Sequence, residues 1–226
     1  TINSTSIANP AAIRSATDGV LVNTPTFVVD NPPNYSNYSV RFDGTDDRAT
    51  ATRTLAAAVH TISMWIKADS TASTPKYWLD NRDGSNNGIA MYSDESGGKL
   101  RMVIYHDNSA EVVSGYDMDE DVWTHICVVK ASSVYYLYKD GILWATNTGI
   151  ADISHAATFY LASAYSTTAL CAEGEIDEVA TWDIALTSSQ VNDIYNGGVP
   201  AVLTSLSPIN WWRFGENDSG TGTTIT

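Results

Sequence analysis

The sequence predicts an all-β protein, a jelly-roll β-sandwich of two antiparallel sheets with one short helix near residues 187–196. Three observations carry that prediction. From Tyr38 onward, short runs of alternating apolar residues follow one another, about ten or more in all, each closed by turn formers. Only one segment has helical periodicity of any quality. The composition, 43% hydrophobic and 10% aromatic over 226 residues, supplies one large core, since sandwiches run to roughly 200 residues as a single domain.

The first 36 residues hold small and polar residues with no sustained period. Val20-Leu21-Val22 and Phe27-Val28-Val29 are short strand candidates separated by Pro25. Residues 1–36 are expected to form an arm that either crosses the sandwich or reaches a neighbouring subunit in a homo-oligomer, with the sandwich itself spanning 37–226. Tyr38, Val40 and Phe42 then alternate up to Asp43-Gly44, and Thr61 to Lys67 places Ile62, Met64 and Ile66 on one face. Tyr77 to Leu79 leads into a polar loop, Asp80 to Gly88, dense with turn residues. Ile89 to Tyr92 is short, and Lys99 to His106 alternates with Leu100, Met102 and Ile104 inward and Arg101 and Tyr105 outward. Val112-Val113, Trp123 to Lys130, Val134 to Lys139, Ile142 to Ala145 and Thr158 to Leu161 follow, with Asp140-Gly141 making a tight hairpin.

Gly174 to Asp183 reads as an acidic strand that runs straight into the helix. Thr187 is a good N-cap and Gln190, three residues on, completes a capping box. Val191, Ile194 and Tyr195 make one apolar face, and Gly197 can take the positive φ of a helix end. Trp211-Trp212-Arg213-Phe214, within 210–215, alternates as a last aromatic strand.

A net charge of -14, with only twelve Lys plus Arg, argues against nucleic acid or an anionic membrane as partner, because both call for basic patches. No apolar run is long enough to cross a bilayer as a helix. Cys127 sits in an apolar strand and Cys171 just before the acidic one, so a disulfide forms only if those strands are neighbours.

The acidic strand and helix resemble the closing segment of laminin G-like, concanavalin A-type lectin/glucanase modules of the pentraxin-like branch. The resemblance rests on Gly174-Glu175-Ile176-Asp177-Glu178-Val179, Trp182, Ala185-Leu186-Thr187 and Ile194-Tyr195-Asn196. Three earlier segments keep the family's order: Val40-Arg41-Phe42-Asp43-Gly44, Thr61 to Lys67, and Trp123-Thr124-His125 followed by Leu137 to Gly141. The resemblance implies the sandwich, a location outside the cell or on a virion, and a non-catalytic surface or structural role with glycan binding or adhesion. The terminal aromatic strand is similar to segments of phage virion appendages, which implies glycans or other virion proteins as partners.

The same superfamily includes retaining β-glucanases with Glu-x-Asp-x-Glu on a cleft-lining strand, so a secreted β-glucanase-like hydrolase is the alternative function. Here Glu175-Ile176-Asp177 is followed by Val179 where the acid/base would stand, and the frame Glu173-Gly174-Glu175 inverts the order of acids. By resemblance Asp177 is the first candidate ligand of a structural calcium and Asp43 the second, carboxylates being what calcium takes. The competing reading has Asp177 and Glu178 capping backbone groups or facing water. Asp46 and Asp47 beside Arg48 read as a surface turn, and Asp117, Asp119, Glu120 and Asp121 as a solvated hairpin tip. A sugar site needs an aromatic platform with a few polar neighbours, for which Trp78, Asn81, Arg82, Asp83, Arg101, Tyr105 and Tyr135 are the candidates. Trp65, Trp123, Trp144 and Trp182 stand at spacings that suit the core, and the four histidines show no catalytic spacing.

Overall fold

The computed structural model describes residues 19–32, 37–69, 75–96, 99–106, 109–152, 158–165, 170–214 and 224–225. Two antiparallel sheets stack face to face. In spatial order the first sheet runs β16 (Thr224–Ile225), β1 (Gly19–Val22), β4 (Arg48–Thr52), β13 (Thr158–Leu161), β6 (Lys76–Asp80), β7 (Ile89–Ser96), β8 (Lys99–His106), β9 (Ser109–Met118). The second runs β12 (Ile142–Thr148), β11 (Val134–Lys139), β10 (Thr124–Ala131), β5 (Val59–Ala68), β14 (Glu173–Trp182), β3 (Ser39–Asp43), β2 (Thr26–Val28). The aromatic strand β15 (Asn210–Trp212) pairs with β14 beside β3.

The alternation read from the sequence becomes the core. Ile62, Met64 and Ile66 of β5, Ile126 and Val128 of β10, and Met102 and Ile104 of β8 meet between the sheets, all fully buried. Each such side chain contributes about 1.5–3 kcal/mol of transfer free energy. At the β11–β12 hairpin Asp140 and Gly141 both take positive φ, 50° and 74°, the conformation a two-residue primed turn requires.

Strands β1 and β2 lie inside the segment expected to be an arm. Leu21 of β1 is buried in the core and β2 extends the second sheet beyond β3, so the sandwich begins by Gly19 rather than at residue 37. The expected arm's residues 1–18 lie outside the described residues.

The helix α1 (Ser188–Tyr195) has the predicted capping box, with Thr187 and Gln190 bonding reciprocally. Its left-handed exit starts one residue earlier than expected, at Asn196 (φ 49°). Val191 and Ile194 bury against the outer face of the second sheet, joining Cys127, Val129, Ala180, Trp182 and Trp211 in a second apolar layer. One face of the sandwich is thereby covered by chain, and the outer face of the first sheet carries a different chemistry.

Candidate ligand-binding face

On the first sheet the register fixes which side chains become neighbours. Tyr160, Asp80, Ala90 and Tyr105 line up across β13, β6, β7 and β8, and Tyr77 and Tyr92 form part of the adjacent row. Leu79, Met91, Ile104 and Phe159 point into the core, so their strand neighbours Asp80, Ala90, Tyr105 and Tyr160 face outward. Ala90, between Asp80 and Tyr105, is small and completely covered.

Arg82 is buried beside this row. Its guanidinium carbon lies 5.0 Å from the ring centre of Tyr105, 5.1 Å from Tyr77 and 5.4 Å from Tyr165. Arg82 donates from Nε to Asp80 Oδ1 (3.0 Å) and from Nη2 to Asp80 Oδ2 (2.7 Å), a two-pronged ion pair. The backbone N–H of Arg82 and that of Tyr165 also donate to this carboxylate, at 2.9 and 3.1 Å. Burial works against the guanidinium's charge, and Asp80 more than offsets it, so the pKa of Arg82 is raised. Burial also raises the Tyr77 phenol. Tyr77 and Tyr92 lie ring to ring at 5.2 Å, and the Tyr165 hydroxyl donates to Asn86 Oδ1 at 3.1 Å. Three tyrosines thus surround one neutralised ion pair, with Tyr92 packed on Tyr77, beside Ala90 and Ala164.

Of the side chains expected to contact a ligand, the structure brings together Arg82 and Tyr105, with Asp83 close by in the loop that follows. Asp83 Oδ1 accepts from the N–H groups of Ser85 (2.8 Å) and Asn87 (2.9 Å), and Oδ2 from Asn87 Nδ2. These bonds, the Asn87 side chain first, lower its pKa and tie the loop. Asn81 is buried and donates to the Thr158 carbonyl at 3.3 Å, so it braces the loop from beneath. Trp78 and Tyr135 are corrections: both are in the core, 1% and 0% exposed, and cannot meet a ligand. Trp78 turns inward because a register shift between Tyr77 and Leu79 breaks the alternation, and its indole N–H donates to Ser93. Arg101 falls on β8, and its side chain lies outside the described residues. Sequence reasoning missed Tyr77, Tyr92, Tyr165 and Asp80.

The acidic strand lies on the opposite side of the molecule, under the second sheet's cover. Gly174 passes the Lys67 carbonyl so closely that an added Cβ would sit 2.1 Å from its oxygen, with φ at 138°, so glycine is obligatory between the two glutamates. Glu175, 3% exposed, is held by Arg41 Nη1 at 2.6 Å and does not line an open groove. Its pKa is raised, burial outweighing the opposing pull of Arg41. Asp177 is fully buried and accepts the Glu178 N–H at 2.8 Å, where Glu178 bulges at φ 51°. Glu178 accepts from Arg213 Nε at 3.1 Å and from the Trp211 indole. Of the two readings left open for these acids, backbone capping describes the bond Asp177 makes to the Glu178 N–H.

The expected calcium pair does not converge. Asp43 stands opposite Glu173 and Asp177 opposite Trp65, an offset of four residues, about 13 Å along the strand. Asp43 instead gathers with Asp46 and Asp47, whose ligand oxygens all lie within 4.8 Å of one another. Asp47 is no surface turn residue: it is 2% exposed and accepts N–H groups of Thr24 (2.9 Å) and Asp43 (3.3 Å). Burial raises its pKa, and the charges of Asp43 and Asp46 add to that. Three carboxylates suit calcium in type, but six to eight oxygens are needed, so carbonyls or water would supply the rest. Cys127 and Cys171 are both buried and outside any disulfide, the first on β10 of the second sheet and the second bridged to Tyr77 of the first. Strands in opposite sheets do not bring the two thiols together.

Residues 42–192 match the family profile described as the concanavalin A-like lectin/glucanases superfamily. The chain belongs to that superfamily. Domain 4 of an extracellular family-43 arabinanase from Geobacillus stearothermophilus, solved with arabinotriose, is similar at 16% identity and TM-score 0.62, over 78% of this chain and 87% of that one. A heptameric SAP-like pentraxin from Limulus polyphemus is similar at 18% identity and TM-score 0.58, over 86% of each. Tailspike protein 2 of bacteriophage CBA120 gives 14% identity and TM-score 0.65 over 87% of this chain and 33% of the tailspike domain. At these identities the solved structures speak to the fold alone. No curated protein is similar enough in sequence to count as a relative.

Proposed function

We propose that this member of the concanavalin A-like superfamily is a non-catalytic glycan-binding module displayed on an extracellular or virion surface. The observation that carries the reading is the outer face of the first sheet, where Tyr77, Tyr105 and Tyr165 surround the Asp80–Arg82 pair and Tyr92 packs on Tyr77. Flat aromatic faces with a few fixed polar groups are what a sugar ring is recognised by. The neighbours named above include an arabinanase domain solved with arabinotriose and a phage tailspike, which supports both the ligand class and the setting. Among the described residues no helix is long and apolar enough to cross a membrane, which agrees with a displayed module.

The β-glucanase alternative asks Glu175 and Asp177 to face a substrate, whereas Glu175 is ion-paired and both are buried. Calcium remains part of the proposal at one place, Asp43, Asp46 and Asp47, where it would relieve the mutual repulsion that helps raise Asp47. Its test is a calcium titration followed by thermal melting: a rise in Tm lost in Asp47→Asn supports the site, and an unchanged Tm removes it.

The functional test is an oligosaccharide array probed with the whole chain and with Tyr105→Ala and Tyr165→Ala. Binding that both substitutions abolish, with folding intact by circular dichroism, supports the reading. Binding to no glycan, or binding that neither substitution changes, contradicts it. Release of reducing sugar that Glu175→Gln abolishes would restore the hydrolase.

A further inference from the structure

The tyrosine face also bears on which glycans it accepts, an inference that rests on the glycan-binding reading above. A carboxylated sugar leaves water at a cost that only an available cation or a set of free donors can offset. Arg82, the cation at the centre of the patch, is already committed: Nε and Nη2 go to Asp80, and its guanidinium carbon lies 5.1, 5.0 and 5.4 Å from the ring centres of Tyr77, Tyr105 and Tyr165. Lys76, the next residue along β6, pairs with Ser93 while Tyr77 pairs with Tyr92, so it stands on the opposite face of the strand from the tyrosines. With Asp80 neutralised by Arg82, the carboxylate of Asp83 beside the patch carries the remaining charge, in a chain of net charge -14. Among the described residues the patch holds no cation other than Arg82, so an anionic ligand finds no partner there.

The same bonds argue against a bridging calcium. Asp80 takes donors at both oxygens, from Arg82 and from the Tyr165 N–H, and Asp83 takes three donors from Ser85 and Asn87. The acids that do gather, Asp43 at the end of β3 and Asp46 and Asp47 in the turn that leads into β4, lie near the start of β4, which β13 separates from β6. Two strand spacings put about 10 Å between those strands before any displacement along them. What the patch does offer is aromatic surface over an alanine floor, which suits the C–H faces of uncharged sugar rings.

We infer that this face binds neutral glycan chains through its tyrosine rings, without calcium, and that Arg82 with Asp80 is an internal strut positioning the rings.

The test uses the whole chain and immobilised oligosaccharides of matched length, in neutral and uronic-acid forms of glucose, galactose and mannose. Each is measured with excess calcium and with excess EGTA. The expected result is binding to one or more neutral members, at least about tenfold tighter than to the matched acidic form. That binding should be unchanged by EGTA and lost in Tyr105→Ala. Tighter binding to an acidic member, or loss of binding in EGTA, overturns the inference while leaving the glycan-binding reading standing. Binding to no member removes the reading itself, and the inference with it. Tyr105→Phe is the folding control. It keeps the ring and should keep the binding, and loss of binding in a folded Phe variant would count against ring-face recognition.

Discussion

Replacing Asp80 by Asn removes the counter-charge from a guanidinium that has almost no access to solvent. The side chains of Arg82 and Asp80 are 9% and 0% exposed. Breaking one partner of a buried pair leaves the other charge uncompensated, which costs about 3–5 kcal/mol. Asparagine keeps an acceptor for one Arg82 N–H and one backbone N–H, so the lower end, about 3 kcal/mol, is expected. For a urea slope of about 2 kcal/mol/M this lowers the unfolding midpoint by about 1.5 M with little change in slope. Arg82→Met strands the carboxylate instead and should cost as much. The double variant removes both charges, and its loss should fall short of the sum by about 1–3 kcal/mol. Single variants that each cost under about 1 kcal/mol, or costs that simply add, would refute the claim that this pair is a buried, coupled strut.

Two further predictions concern the other face. Thr187→Ala removes the acceptor for the Gln190 N–H at 3.3 Å and should destabilise the chain by about 1 kcal/mol in denaturant titration, while Thr187→Asn should be close to neutral. His125, packed against the rings of Trp65 and Tyr195 and bonded to Ser63 at 2.8 Å, is held by burial at a pKa of about 3 against an ordinary 6.5. Its folded pKa is depressed, so the unfolded chain binds the proton first. The stability this residue contributes is full above about pH 6.5 and is lost as the pH falls toward 3, by a few kcal/mol in all. Melting profiles of the native chain and of His125→Phe should therefore converge across that window, and parallel profiles would show that the imidazole is not buried as described.

Strand Lys99–His106 has the bounds its alternation predicted, and the helix has its predicted cap, because in both the signal is local and repeated. Strand Arg48–Thr52 was not legible. Its inward residues are Ala49 and Ala51, which pack against the core but carry no strand-forming signature. The tyrosine face was half legible. Arg82 and Asp83 announced themselves as polar residues in a turn-rich loop, and Tyr105 as an outward residue of a clean strand. Trp78 was misplaced because the register shift beside Tyr77 moves the phase by one residue, which exchanges the face of every neighbour. Tyr165 and Ala90 join the site only through pairing across four strands, and no local pattern encodes that. The pairing of Asp43 with Asp177 was beyond local reading in the same way: β3 and β14 are neighbours, as expected, but a four-residue offset separates the two acids.

The central claim, that the tyrosine face is the part of this sandwich that meets sugar, is tested most directly by amide chemical-shift mapping during titration with a neutral oligosaccharide. The shifts should cluster at Tyr77, Arg82, Ala90, Tyr92, Tyr105 and Tyr165 on the first sheet, and leave Glu175, Asp177 and the helix after Thr187 unmoved. Shifts concentrated along the acidic strand, with the tyrosine face silent, would contradict it.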